Sequence, residues 1–468
     1  MERVVEIHSR LKGAIVWILR LIIGATFTMS GFVKAIDIWG SVFKIEEYLQ
    51  VWGWNIPDSI IVVGAGALAA AEFVFGFLLL VGLYRRFSVW IMLLMMAVML
   101  PLTAWIAIAD PVADCGCFGD FLVISNTATF LKNILITLAL IYLARYNTTV
   151  GSIFGSYMDF VIGGLLTLYI LIIEIYGYNI QPMLDFRRFA EGTELISTEN
   201  ADEENSGEPV YSFIYENAEG ERREFGEDNL PDDSVWTFVD RKLISGSENQ
   251  TDGFAIVKDG EDIAPEIVEQ TGPQFIVTIP DVKRTDISST YKINDLNDFI
   301  SGRGGSLIAL IGNGSDLAID YWRDISMADY GIYHAEPTLI KELARGTTAI
   351  VYLENGEVQW KRSLSSVNYA EMSAVTNPSD FLDFLRPQPL YMLKSLTFIL
   401  VVVLLTIFVL DRSGKLVAWS VTGWLGRRRA RRERERKEKE GALHDAEDRN
   451  QTQNTEDSIT KCKNPRSE

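Results

Sequence analysis

Apolar residues fall along this chain in two different rhythms. Over the first 178 residues they form long unbroken blocks, at 13–36, 60–83, 87–109, 129–145 and 158–178. A sixth block, 390–410, contains VVVLLTIFVL. A membrane-crossing helix needs roughly 20 mostly apolar residues, so the pattern predicts about six transmembrane helices. The first block is too long for a signal peptide, and no small-residue cleavage site follows it.

Between the fifth and sixth blocks the rhythm shortens. The stretch 191–209 (EGTELISTENADEENSGEP) has almost no large apolar side chains and reads as a linker. VYSFIY, VWTFVD and FAIV follow as short strands, separated by the turns NAEG, DNLPDD and KDGED. From Gln274 strands and helices alternate. QFIVTI is a strand, 294–301 a helix, SLIALI a strand, 316–327 a helix, YGIYH a strand and 336–345 a helix. AIVYL and VQWKRSL then form a hairpin across ENGE. The predicted fold class is an α-helical integral membrane bundle plus an α/β domain built on a mixed sheet. The segments are a membrane domain 1–178, a linker and small β region 179–252, the α/β domain 253–388, a sixth helix 389–411 and a charged tail 412–468.

Charge assigns sides to this arrangement. Arg3, Arg10 and Lys12 precede the first helix, Arg85 and Arg86 fill the second turn, and Arg145 closes the fourth helix. With six alternating helices these share one side, which the excess of Lys and Arg identifies as cytoplasmic. Lys34 and Lys44 fall on the other side, offset by Asp37, Glu46 and Glu47. Both termini are then inside, and the loop 110–128 and the region 179–387 lie outside. The latter holds 39 acidic and 17 basic residues, a net of −22, against −19 for all 468 residues. So acidic a surface excludes nucleic acid as a partner, because phosphates attract Lys and Arg. Nine basic residues and four glutamates alternate over 427–440, just inside the membrane. They suit either anionic lipid or a solvated charged helix. The rest of the tail is expected to be disordered apart from a possible single helix.

The candidate chemistry sits in the outside loop, which reads DCGCFGD. Cys115 and Cys117 are two apart, so a bridge between them is geometrically tight, and Gly116 removes the Cβ that would obstruct it. A strained, exposed disulfide exchanges more readily than a relaxed one. The alternative is a structural disulfide or two buried thiols. Metal binding is disfavoured, since two cysteines fall short of four zinc ligands, and His8, His334 and His444 belong to separate segments. Asp114 and Asp120 flank the motif; as anions they would raise a thiol pKa, and they read best as turn and cap residues. Cys462 lies in the tail, among reduced thiols.

RLIIGATFTMSGFVKAID from Arg20, and AEFVFGFLLLVGLYRRF with Glu72, Gly76 and Gly82, resemble the DoxX family of membrane proteins. CGCFG, from Cys115 through Phe118 to Gly119, is similar to the related MauE family, implicated in disulfide formation for methylamine utilisation. The whole arrangement resembles DoxX-type proteins of the Bacteroidetes type with a C-terminal thioredoxin-like periplasmic domain. RGTTAIVYLENGE at 345–357 is similar to the thioredoxin segment reading R-G-I-P-T, then a strand, then N-G-E. Thr348 stands where that family has proline, and no Cys-x-x-Cys follows SLIALI, where the chain reads GNGSD.

The resemblance implies thiol–disulfide redox at the outer face of the inner membrane through Cys115 and Cys117, supported by Gly116, Phe118, Gly119 and Asp120. It also implies a quinone as a possible acceptor and a periplasmic redox or substrate protein as partner, alongside membrane lipid; oligomeric state is left open. The rival reading is a non-catalytic anchor whose thioredoxin-like domain binds a partner. Ionisable residues inside apolar helices usually face a partner in the bundle interior. Arg20 and Glu72 are therefore expected to pair, Glu174 to reach the interface, and Lys34 to extend toward the membrane surface. Trp39, Trp52, Trp54, Trp90 and Trp105 are expected to form an interfacial belt.

Overall fold

A computed structural model describes residues 2–109, 112, 115–122, 124–196, 210–217, 222–226, 236–245, 254–258, 261–312, 316–375 and 377–462. From residue 197 on, the expected acidic linker lies outside this set. The chain divides into two compact units, Met1–Thr397 and Phe398–Glu468.

In the first unit, α1 (Glu2–Ile36), α2 (Ile38–Val51), α3 (Asp58–Val81), α4 (Arg85–Ala109), α5 (Asn126–Tyr146) and α6 (Asp159–Asn179) form a helical bundle. Six stretches are long and apolar enough to cross a membrane: Arg10–Ile36, Asp58–Val81, Arg85–Ala109, Asn126–Tyr146, Asp159–Asn179 and Pro389–Gly414. They match the six apolar blocks, and the protein is a multi-pass membrane protein by this pattern. The last belongs to the long helix Pro389–Cys462. Helix therefore continues through the tail expected to be mostly disordered.

Helix α2 was not legible as an element, being too short to span and flanked by charges. It begins where Asp37 interrupts α1 and caps the next turn, accepting a hydrogen bond from Gly40 N at 3.0 Å. Ile38, Val42 and Leu49 bury one face against Ile61 and Ala65 of α3.

The seam between α1 and α3 is built on small residues. A Cβ added at Gly31 would lie 2.3 Å from Phe73 N and 2.5 Å from Ala69 O, and one at Gly76 would lie 2.5 Å from Thr28 N. Gly24 meets Leu80 in the same way, at 2.9 Å. Three of these contacts pair positions summing to 104 (24 with 80, 28 with 76, 31 with 73) and Gly31 with Ala69 lies one turn away, so the glycines lock one antiparallel register.

After α6 the chain enters the soluble part. Strands β1 (Val210–Asn217), β2 (Arg222–Gly226) and β3 (Trp236–Ser245) form an antiparallel sheet ordered β2-β1-β3. The hairpin β4 (Val257–Lys258) and β5 (Glu261–Asp262) leads through the short α7 (Ala264–Ile267) into β6 (Pro273–Ile279). Then come α8 (Ser289–Ser301), β7 (Ser306–Ile311), α9 (Asp316–Ser326), β8 (Gly331–His334), α10 (Pro337–Leu343), β9 (Ala349–Glu354) and β10 (Glu357–Ser363). The five strands order as β10-β9-β6-β7-β8, with β6, β7 and β8 parallel and β9 and β10 antiparallel. The β9–β10 turn uses positive φ at Asn355 and Gly356, 54° and 80°. FAIV is mostly not a strand; Phe254 and Ile256 instead fill the core.

Both faces of this sheet are covered, which explains its nearly continuous apolar strands. Phe275, Val277 and Ile279 face Ile293, Leu296 and Trp322, while Ile276, Leu310 and Val351 face Ile340 and Leu343. The sheet sits directly on the bundle. Arg345 pairs with Asp37 at 2.9 Å, Gln181 donates to Arg345 O at 2.8 Å, and Trp39 stacks on Tyr178 with ring centroids 5.0 Å apart. Trp39 is thus a packing residue and Trp105 packs against the cluster of Tyr48 and Cys115, whereas Trp52, Trp54 and Trp90 are exposed.

Overpacking a closed helix seam costs about 1–3 kcal/mol. Gly31→Ala and Gly76→Ala should therefore lower the melting temperature in detergent. Gly64→Ala, on the same helix but with nothing within 4 Å of its Cβ, should be neutral or slightly stabilising. Equal effects at all three positions would rule out the locked register.

Candidate functional site

The Cys-Gly-Cys turn lies at the bundle end where α4 finishes and α5 begins, the same end that carries the sheet domain. Gly116 and Gly119 adopt positive φ, 65° and 52°, and Gly119 N donates to Gly116 O at 3.2 Å. A Cβ at Gly116 would also lie 2.7 Å from Lys44 Cγ of α2. Both backbone conformation and space therefore require glycine there. Asp120 contributes its backbone to the short turn Gly119–Phe121; Asp114 and the Asp120 carboxylate lie outside the described residues.

Cys115 and Cys117 are thiols whose sulfurs stand 2.9 Å apart. Cys117 N points at Cys115 Sγ from 3.4 Å, and the Thr129 hydroxyl lies 3.7 Å from it. Hydrogen bonding from the Cys117 thiol, aided by the Cys117 and Thr129 donors and by Lys132, outweighs burial and brings the Cys115 thiol down to about 6. The same bond and its own burial push Cys117 well above the ordinary thiol value. The environment thus favours the thiolate at Cys115 and the protonated thiol at Cys117.

Two side chains hold the turn by its carbonyls. Tyr48 of α2 donates to Cys115 O at 2.8 Å, and Ser30 of α1 lies 2.8 Å from Cys117 O. Ser30 also approaches Glu72 at 2.7 Å, and Lys34 grips both Glu72 oxygens at 2.7 and 2.8 Å. All three side chains are buried. Lys132 lies 4.6 Å over the Phe118 ring. A cavity of about 40 Å³ adjoins Cys117, lined by Phe27, Glu72, Met96, Phe118, Lys132 and Asn133 among others.

Three expectations are corrected here. Arg20 does not pair with Glu72. It is buried midway along α1, bonded to the Asn147 side chain and backbone carbonyl, and to Gly151 O and Val150 O at 3.1 Å each. The glycine register decides this: position 20 of α1 faces the end of α3, and Glu72 faces Phe32, with Ser30 and Lys34 on either side. Lys34 accordingly turns inward, 6% exposed, instead of extending to the surface. Glu174, expected at the interface, is 7% exposed. Sequence reasoning also missed Ser30, Tyr48 and Lys132. The signal for the first was the glycine spacing 24, 31 and 76, which aligns Ser30 and Lys34 with Glu72.

A second cleft, about 870 Å³, opens between α2 and the carboxyl edge of the five-stranded sheet. Trp39, Phe43, Tyr178, Asp281, Lys341 and Thr347 are among its walls. It stops short of the thiols; Leu49 and Gln50 line it, while their neighbour Tyr48 turns the other way to Cys115 O.

Residues 12–145 match the family described as methylamine utilisation protein MauE. The match runs from α1 through α5 and includes the Cys-Gly-Cys turn, so the membrane part of the chain is MauE-like. Residues 209–245, the segment of β1 to β3, match a domain of unknown function, DUF8463. No curated protein and no solved structure matches the chain.

Breaking a buried ion pair by deleting one partner costs about 3–5 kcal/mol, whereas apolar replacement of both is often neutral. Lys34→Met should sharply lower the unfolding midpoint in detergent, and Lys34→Met combined with Glu72→Leu should recover most of the loss. A double variant no better than the single one would mean that Lys34 and Glu72 act separately.

Proposed function

We propose that this chain is an inner-membrane thiol–disulfide exchange protein of the DoxX/MauE type, acting at the periplasmic face through Cys115 and Cys117. The observation that carries the reading is the sulfur pair at 2.9 Å with Cys115 held down to about 6. A thiolate beside a thiol is the arrangement that exchange needs.

The exchange balances without a further reagent. Cys115 thiolate attacks one sulfur of a partner disulfide, forming a mixed disulfide and releasing the other partner sulfur as a thiolate. Cys117 loses its proton to that leaving thiolate and displaces the partner, closing Cys115–Cys117. Two electrons pass to the partner, which leaves as a dithiol; the reverse sequence oxidises a dithiol partner. Lys34 and Lys132 favour the negative charge as it moves to Cys117.

Orientation rests on Arg10, Lys12, Arg85, Arg86 and Arg145, which cluster at the bundle end opposite the cysteine turn. The quinone suggested by resemblance does not fit the cavity beside Cys117. A volume of about 40 Å³ holds only a few waters, at roughly 10–15 Å³ each.

The α/β domain is proposed as a thioredoxin-like docking module without its own dithiol. The β10-β9-β6-β7-β8 order and the Thr347–Thr348 turn before β9 support the likeness. No cysteine lies between Cys117 and Cys462, so the domain holds none. The carboxyl edge of its parallel strands, where open α/β sheets bind ligands, faces the cleft. The partner polypeptide would enter there, beside α2.

Alkylation of Cys115 should rise with pH and reach half its maximum near pH 6, since thiolate is present above that value and lost below it. Cys117 should stay unreactive until strongly alkaline pH, and Lys132→Met should move the Cys115 midpoint upward. Identical profiles for the two thiols would remove the basis for the assignment. In cells, Cys117→Ala should accumulate a mixed disulfide through Cys115, whereas Cys115→Ala should not. A Cys115→Ala/Cys117→Ala double variant that is folded and fully functional would favour the anchor reading instead.

A further inference from the structure

Glu174 stands apart from the thiol site. It lies five residues before the end of α6, about 8 Å into the bundle at ~1.5 Å per residue. Its Oε1 has no hydrogen-bond partner among the described residues. Its Oε2 rests over α3 at Gly66, where an added Cβ would be 3.3 Å from that oxygen and 3.9 Å from Ile38 Cδ1 of α2. One turn further along α6, Gly177 seats against the end of α1, with an added Cβ only 2.6 Å from Ile36 O. The carboxyl is therefore enclosed by α1, α2 and α3.

The charges on those elements are committed elsewhere. Lys34 of α1 and Glu72 of α3 bind each other, Asp37 is held by Arg345 and by Gly40 N of α2, and Asp58 stands at the start of α3. Asp159 begins α6 at its far end, and Lys394 on the helix that follows the sheet domain is exposed. Among the described residues Glu174 has no ion-pair partner. A lone carboxylate in an apolar helix contact is far costlier than the neutral acid. The carboxyl end of α1 carries partial negative charge, which disfavours the anion further.

We propose that Glu174 is a proton-binding site: a neutral carboxylic acid that releases its proton to, and takes it from, water in the cleft above it. The step is –COOH to –COO⁻ plus H⁺, with no electron transfer. The route is short, because Tyr178 on α6 and Ile61 and Val62 on α3, about one turn above Glu174 and Gly66, line the cleft of about 870 Å³. Glu72 makes the contrast: it is equally buried, but both its oxygens are bound by Lys34.

The test is modification by a hydrophobic carbodiimide, which attacks protonated carboxyls. The full-length protein in liposomes is labelled from mildly acid to mildly alkaline pH, and adducts at Glu174 and Glu72 are quantified by peptide mass spectrometry. Glu174 should label strongly at neutral and acid pH and fade as pH rises, with Glu72 roughly tenfold less labelled throughout. The infrared C=O stretch of a protonated carboxyl should disappear in Glu174→Gln, whose side chain has the shape of the neutral acid. Labelling should be the same in Cys115→Ala/Cys117→Ala, so this outcome is separate from the exchange chemistry. The proposal is overturned if Glu174 labels only after unfolding, if sodium and not pH protects it, or if the infrared band survives in Glu174→Gln.

Discussion

The close approach of α1 and α3 governs the membrane part of this protein. Gly24, Gly31 and Gly76 let the two backbones touch, and a backbone contact, unlike a contact between long side chains, tolerates no sliding. Once 28 faces 76 and 31 faces 73, Glu72 must lie between Ser30 and Lys34. A carboxylate at that depth requires a cation, and Lys34 supplies it at 2.7 Å. Ser30 completes the link by lying between Glu72 and the Cys117 carbonyl. The position of the cysteine turn thus follows from where three glycines allow two helices to meet.

Helix α2 joins this seam to the soluble domain. Its capping residue, Asp37, is also the ion-pair partner of Arg345, and Phe43 lies beneath Lys341 and Arg345, at 4.6 and 5.5 Å. On the other side Lys44 presses on Gly116 and Tyr48 holds the Cys115 carbonyl. One 14-residue helix therefore touches both the α/β domain, at Lys341 and Arg345, and the cover of the buried Cys115. Any displacement of the domain that moved α2 would change the exposure of Cys115 at once, because the same rigid element serves both contacts.

Three acidic side chains, two buried and one half-buried, show how local partners decide the state of a carboxyl. Glu72 is neutralised by Lys34. Asp185, after α6, is held to about 2 because Arg187 and Lys361 outweigh its burial. Glu174 has neither, and Gly66 beside it offers no donor side chain. Burial alone does not predict which acid is charged; the geometry of cations around it does.

Length and apolarity by themselves determined the number of membrane helices, because a run of roughly 20 apolar residues has few other stable environments. Strand and helix alternation likewise set the order β6 to β10, since each element carries its own period. The cysteine pair and the need for Gly116 were readable for the same local reason. Which charges met was not readable from the segments taken singly. Arg20 and Glu72 are both ionisable residues inside apolar blocks, and that alone suggested a pair. Only helix register, set by contacts between residues some 40 to 60 positions apart, sent Arg20 to Asn147 and Lys34 to Glu72. The short α2 and the lysines that tune the thiols were decided the same way, by packing across segments that no local period encodes.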